Sequence, residues 1–116
     1  MFTVYVAVTI ATILANSAIV VADLARAEFV LANMAEVGVP PSALPMLAML
    51  KAAGAVGLLL GLLGIDVIGV AAAAGLVAFF VCAIVVHVRA RVFHNIAFPG
   101  AFLVLALASL ALGITH

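Results

Sequence analysis

Charge is what this sequence has least of. Eight Asp, Glu, Lys and Arg residues serve all 116 positions, 7% of the chain, against a 71% hydrophobic content. A soluble domain carries about a quarter of its residues as charges, and a chain this short still exposes roughly a third of its surface after folding. With a mean hydropathy of +1.59 that surface has to face lipid, so an ordinary soluble fold is excluded. Four basic residues balance four acidic ones for a net charge of zero, which leaves no basic field for a nucleic acid. Cysteine is nearly absent as well. Cys82 alone, inside an apolar run, gives no CxxC pair, no thiolate metal cage and no internal disulfide, which removes thiol-relay chemistry. The apolar start of the chain lacks the Lys or Arg of a signal-peptide leader, and further apolar stretches follow, so it reads as a mature membrane segment. No internal repeat stands out, and no cofactor motif is present.

What remains is long apolar stretches punctuated by charge and proline. A spanning helix needs about 20 predominantly apolar residues, and the punctuation divides the chain into four such pieces, near residues 2–22, 44–65, 67–88 and 98–115. The expected fold is therefore all-α, an integral membrane four-helix transmembrane bundle in one domain over residues 1–116. The first helix is expected to run on through Asp23 to Val37, where Gly38-Val39-Pro40-Pro41-Ser42 stops it. Ser42 is the expected N-cap of the next helix. Gly64-Ile65-Asp66 leaves so short a link that the second and third spans are antiparallel neighbours. Pro99 suits the first turn of the last helix. Four spans place the first and third links on one face, with every Lys and Arg on or near it, so the positive-inside rule makes that face cytoplasmic and puts the termini outside.

Gly54, Gly57, Gly61 and Gly64 recur at steps of three, four and three. Small residues at that spacing let helix backbones approach closely in lipid, and the stripe reads as a packing surface. With so small a chain, a dimer or trimer burying its alanine and glycine faces is the expected assembly. Lys51 shares the stripe of Gly54, Leu58 and Gly61, which points it inward, and ionisable groups inside a membrane mark functional sites by default. Asp23, Glu28 and Glu36 are its candidate counter-charges. Asn16 lies seven residues before Asp23 on the same helical face, and Arg26 stands three residues after it, within reach of a local ion pair. His87, near the end of the third span, is placed to shuttle protons, bind a metal or ligate haem. Arg89 and Arg91, two residues apart, cannot share one helical face, so one is a candidate anion site while the other anchors to headgroups, with headgroup anchoring the favoured reading; the loop and tail residues His94 and His116 are weak metal ligands, and no metal site is assigned. Asn16, Asp23, Glu28, Lys51, His87 and Arg89 thus converge near one membrane face. Glu28, Lys51, His87 and Asp23 form the candidate acid–base set, with Asn16, Arg26 and Arg89 as substrate-binding candidates.

At these residues the chain resembles the DoxX-like family of small four-helix membrane proteins. The resemblance runs through Ala25-Arg26-Ala27-Glu28-Phe29, Asn33-Met34-Ala35-Glu36-Val37-Gly38-Val39-Pro40, Leu50-Lys51-Ala52-Ala53-Gly54-Ala55-Val56-Gly57-Leu58-Leu59-Leu60-Gly61 and His87-Val88-Arg89-Ala90-Arg91. It implies a multi-pass protein of the bacterial cytoplasmic membrane, associated with membrane oxidoreductases and quinone-linked redox. Three functions follow as expectations: an accessory subunit that packs against a redox partner or near quinone, a cofactor-independent enzyme doing acid–base chemistry on a lipophilic small molecule (epoxide opening, isomerisation or cyclisation), and an oligomeric small-solute transporter. No motif for haem or quinone accompanies the resemblance.

Overall fold

A computed structural model of the chain describes residues 2–115; His116 lies outside the described residues. The helices are α1 (Phe2–Leu24), α2 (Glu28–Glu36), α3 (Leu44–Leu62), α4 (Asp66–Arg89) and α5 (Ala97–Thr115), with a single 3-10 turn, Pro41–Ala43, leading into α3. All except α2 are long and apolar enough to cross a membrane. They form an all-α multi-pass bundle, 39 Å along its longest axis. α1 packs against α3 and α5, α3 against α4, and α4 against α5, so the four spans close into a square. Leu58, Ala73, Leu76, Phe80 and Ala106 make the central core.

The backbone ends its helices where residues in the left-handed conformation allow the chain to reverse. Gly38 (φ +77°) and Gly64 (φ +115°) do so after α2 and α3, each followed by an amide that bonds back five residues, Val39 to Met34 and Ile65 to Leu60. Arg26 (φ +54°) and Arg91 (φ +57°) occupy the same position after α1 and α4, where a side chain costs roughly 1–2 kcal/mol that glycine avoids. Each arginine thereby places its charge beside a helix C-terminus, which favours cations.

Three expectations are corrected here. The first helix does not continue to Val37: Arg26 turns the chain, the Ala27 amide bonds to the Ala22 carbonyl, and α2 starts afresh as a separate nine-residue helix. Ser42 does not cap α3. It lies within the 3-10 turn, and Ala43 holds the N-cap position with no side-chain hydrogen bond. Gly64 is not part of the packing stripe but the turn residue beyond it, with nothing within 4 Å of where its side chain would stand. The other three glycines face α4. A Cβ on Gly61 would come within 2.6 Å of the Gly69 Cα, and one on Gly57 within 2.5 Å of the Ala72 Cβ, so α3 and α4 meet backbone to backbone. That face is consumed inside the subunit and cannot also bury a partner copy.

Candidate functional site

Lys51 stands two turns into α3 on its inner face and is 8% exposed. Its ammonium lies 2.5 Å from Asp23 Oδ2 in the last turn of α1, and 5.5 Å from the centre of the Phe79 ring on α4. Asp23 is therefore the counter-charge among the three candidates. The stem of Lys51 does not carry its head to the surface, because the carboxylate that binds it is itself only 2% exposed. Glu36 pairs instead with His94, Oε2 to Nε2 at 2.6 Å, on the exposed side of α2.

His87 occupies the last turn of α4 with 4% exposure. Its Nδ1 lies 2.8 Å from the Ala83 carbonyl, and its Nε2 lies 3.2 Å from Asn33 Oδ1 on α2. Asn95, in the link before α5, donates from Nδ2 to the same Asn33 oxygen at 2.7 Å. Asn33 thus ties α2 to α4 and to that link. Ligation of haem through Nε2 would require the contact with Asn33 to break. Neither Asn33 nor Asn95 was singled out from the sequence; the available signal was a lone amide on the α2 face that also carries Val30, Met34 and Val37.

These groups border a cavity of about 950 Å3. Asp23, Asn33, Lys51, His87 and Asn95 supply its polar side chains, while the rest of the wall is apolar, including Phe29, Phe79, Phe80 and Phe98. The rings form a continuous file. Phe29 contacts Phe98 at 6.3 Å between centres, Phe98 stacks on Phe102 at 5.4 Å, Phe102 meets Phe80 at 5.2 Å, and Phe80 meets Phe79 edge-on at 5.0 Å. Leu50, Ile68 and Cys82 also line the cavity and are exposed, so it opens sideways between α3 and α4, toward lipid. α2 roofs it, held to α3 by the packing of Val30 and Met34 on Leu44.

Of the seven candidate site residues, the structure brings Asp23, Lys51 and His87 to this cavity. Glu28 is not part of it. Because the chain breaks at Arg26, Glu28 becomes the first residue of α2, exposed to solvent, where its charge suits a helix N-terminus. Arg26 makes no ion pair with Asp23 among the described residues, since its left-handed backbone turns the side chain outward. Arg89 is likewise exposed, at the last residue of α4, as Arg91 is beyond it. Asn16 is fully buried but does not line the cavity; its amide donates to the Thr12 carbonyl of its own helix. Among the described residues no three His, Cys, Asp or Glu side chains come together as a metal cage.

No curated protein and no solved structure matches the chain. The model of the DoxX-like family matches it from residue 7 to residue 109, a stretch that contains α1 from its second turn, the whole of α2, α3 and α4, and most of α5. This four-span membrane protein belongs to the DoxX-like family.

Proposed function

We propose that this chain is an accessory membrane subunit of a quinone-linked redox system in the bacterial cytoplasmic membrane, seating a lipophilic molecule in the lateral cavity. The observation that carries the reading is the cavity itself. Its volume falls within the range of small-molecule sites, about 300–1,000 Å3, and its wall follows their usual composition, apolar with a few placed polar groups. A quinone has a flat ring, carbonyl oxygens and an apolar tail, and these residues fit it: the phenylalanine file offers ring faces, the Lys51 ammonium has N–H groups beyond the one facing Asp23, and the side opening admits a tail from the bilayer. Arg26, Lys51, Arg89 and Arg91 gather at this end of the bundle, which by the positive-inside rule is the cytoplasmic one.

The test combines two measurements on protein extracted in mild detergent. Affinity purification returns a redox protein, and a short-tailed quinone raises the melting temperature and slows maleimide labelling of Cys82. Lys51→Met abolishes both quinone effects. Recovery of this chain alone, with no quinone effect on melting or labelling, refutes the proposal. A second reading, acid–base catalysis on a lipophilic substrate, is favoured by one observation: the Asp23 carboxylate, Lys51 and His87 share a cavity whose wall is otherwise largely apolar, the setting in which proton transfers are accelerated. Full turnover by Asp23→Asn, Lys51→Met and His87→Ala proteins of any substrate found to be converted would eliminate it.

A further inference from the structure

α1 is built inside out. All five of its buried residues, Tyr5, Thr9, Thr12, Asn16 and Asp23, carry polar side-chain atoms, at steps of four, three, four and seven that keep them on one face. The remaining positions are overwhelmingly Val, Ile, Leu and Ala and turn outward or flank the stripe. From Tyr5 to Asp23 the helix rises about 27 Å, close to the roughly 30 Å thickness of the hydrocarbon core. α5 adds Ser109, 2% exposed, its Oγ 2.8 Å from Thr12 Oγ1. Interhelical glue would account for this seam if every polar atom in it were paired. Thr12 donates to the Val8 carbonyl at 2.8 Å and Asn16 Nδ2 to the Thr12 carbonyl at 2.9 Å. Thr9 Oγ1 and Asn16 Oδ1, in side chains at most 1% exposed, find no hydrogen-bond partner among the described residues. Lipid has no donor to offer them, and water is the remaining source.

Both ends of the seam reach open space. At one end Tyr5 Cε1 lies 3.8 Å from the position a Gly113 Cβ would take, and Gly113 lines a surface depression with Asp66, Val67, Val70 and Ile114. At the other, Asp23 and Ile19 line the large lateral cavity. Between Asn16 and Asp23 the helix rises roughly 10 Å, the length of three or four water molecules in file. The ionisable groups along this route are Tyr5 and Asp66 at one end and Asp23 and Lys51 at the other; α3, α4 and α5 contribute no charged residue between them. The hydroxyls of Thr9, Thr12 and Ser109 can each accept one proton and release another by rotating.

From this we infer that the buried polar face of α1, joined by Ser109 of α5, is a hydrated proton path through the bundle, linking the Asp66 end to the Asp23–Lys51 pair. The inference is independent of what occupies the lateral cavity. It is tested with the full chain in vesicles of neutral phospholipid containing a pH-sensitive dye, with proton entry driven by a potassium gradient and valinomycin. Wild-type protein is expected to acidify the vesicles at least five-fold faster than protein-free controls, and Thr9→Val and Asn16→Leu to return the rate to within two-fold of those controls. Thr9→Ser, which keeps the hydroxyl, is expected to retain at least half of the wild-type rate, and circular dichroism after reconstitution reports whether each variant is folded. A wild-type rate equal to that of empty vesicles overturns the inference. So does a folded Thr9→Val protein as fast as wild type, or a folded Thr9→Ser protein as slow as the valine variant.

Discussion

Removing either member of the Lys51–Asp23 pair leaves the other charge buried, but the two losses should not be equal. Breaking a buried pair by deleting one partner costs about 3–5 kcal/mol. Lys51→Met strands a carboxylate that is 2% exposed on a side chain too short to reach the interface, so it should cost that full amount. Asp23→Leu strands an ammonium whose four-carbon stem can re-aim toward the headgroups, which limits its cost to about 1–3 kcal/mol. The Lys51→Met/Asp23→Leu double variant removes both charges, and replacing a buried pair by apolar residues is commonly neutral or stabilising. It should therefore fall within about 1 kcal/mol of wild type, giving a coupling energy of at least about 3 kcal/mol by the additivity test for contacting residues. Reversible unfolding of all four proteins in mixed micelles, followed by circular dichroism, measures the cycle. A coupling below about 1 kcal/mol, the level of an exposed pair, would refute the reasoning, as would an Asp23 variant more damaging than the Lys51 variant.

The close crossing of α3 and α4 separates two kinds of glycine. Gly61→Ala drives a methyl into the Gly69 backbone and is expected to cost about 1–3 kcal/mol through overpacking, whereas Gly75→Ala, which meets nothing within 4 Å, should be neutral or stabilise by up to about 1 kcal/mol. Gly64→Ala likewise meets no atom but sits at φ +115°, so it should destabilise by about 1 kcal/mol through backbone strain alone; all three are read from the same unfolding curves. Asn33→Ala should accelerate amide hydrogen exchange across α2 by ten-fold or more, because it removes both the His87 and Asn95 contacts, each worth about 1 kcal/mol. Glu36→Gln, which weakens only an exposed pair with His94, should change it by less than three-fold.

The spans were legible because length and apolarity alone identify them, and charge and proline mark their ends within a few residues. The local breaks were not. Arg26 and Arg91 take backbone positions that composition rules assign to glycine or asparagine, so nothing at residue 26 announced that α1 stops there, and with that break Glu28 left the site. Lys51, Asp23 and His87 were legible because an ionisable group in an apolar run has few places to go. Asn33 and Asn95 were not, since amides in short helices and loops are ordinary at a surface, and only the fold sets both against His87.

Lipid also inverts the usual clue to the inner face of a helix. In water an apolar stripe marks the core, whereas here most residues of α1 are apolar, and the buried stripe is the polar one, Tyr5, Thr9, Thr12, Asn16 and Asp23. In α3 the same face is marked by small residues and one charge, Ala48, Lys51, Gly54, Ala55, Gly57 and Gly61, with Leu44 and Leu58 the only large apolar side chains buried there. Polar and small residues turn inward for different reasons. A polar atom facing lipid finds no partner, and a missing side chain lets backbones approach until dispersion replaces the hydrophobic drive that lipid does not supply. Scarce polarity is thus forced to the helix–helix contacts, and a chain with eight charges places the buried Lys51–Asp23 pair where three helices and a cavity meet.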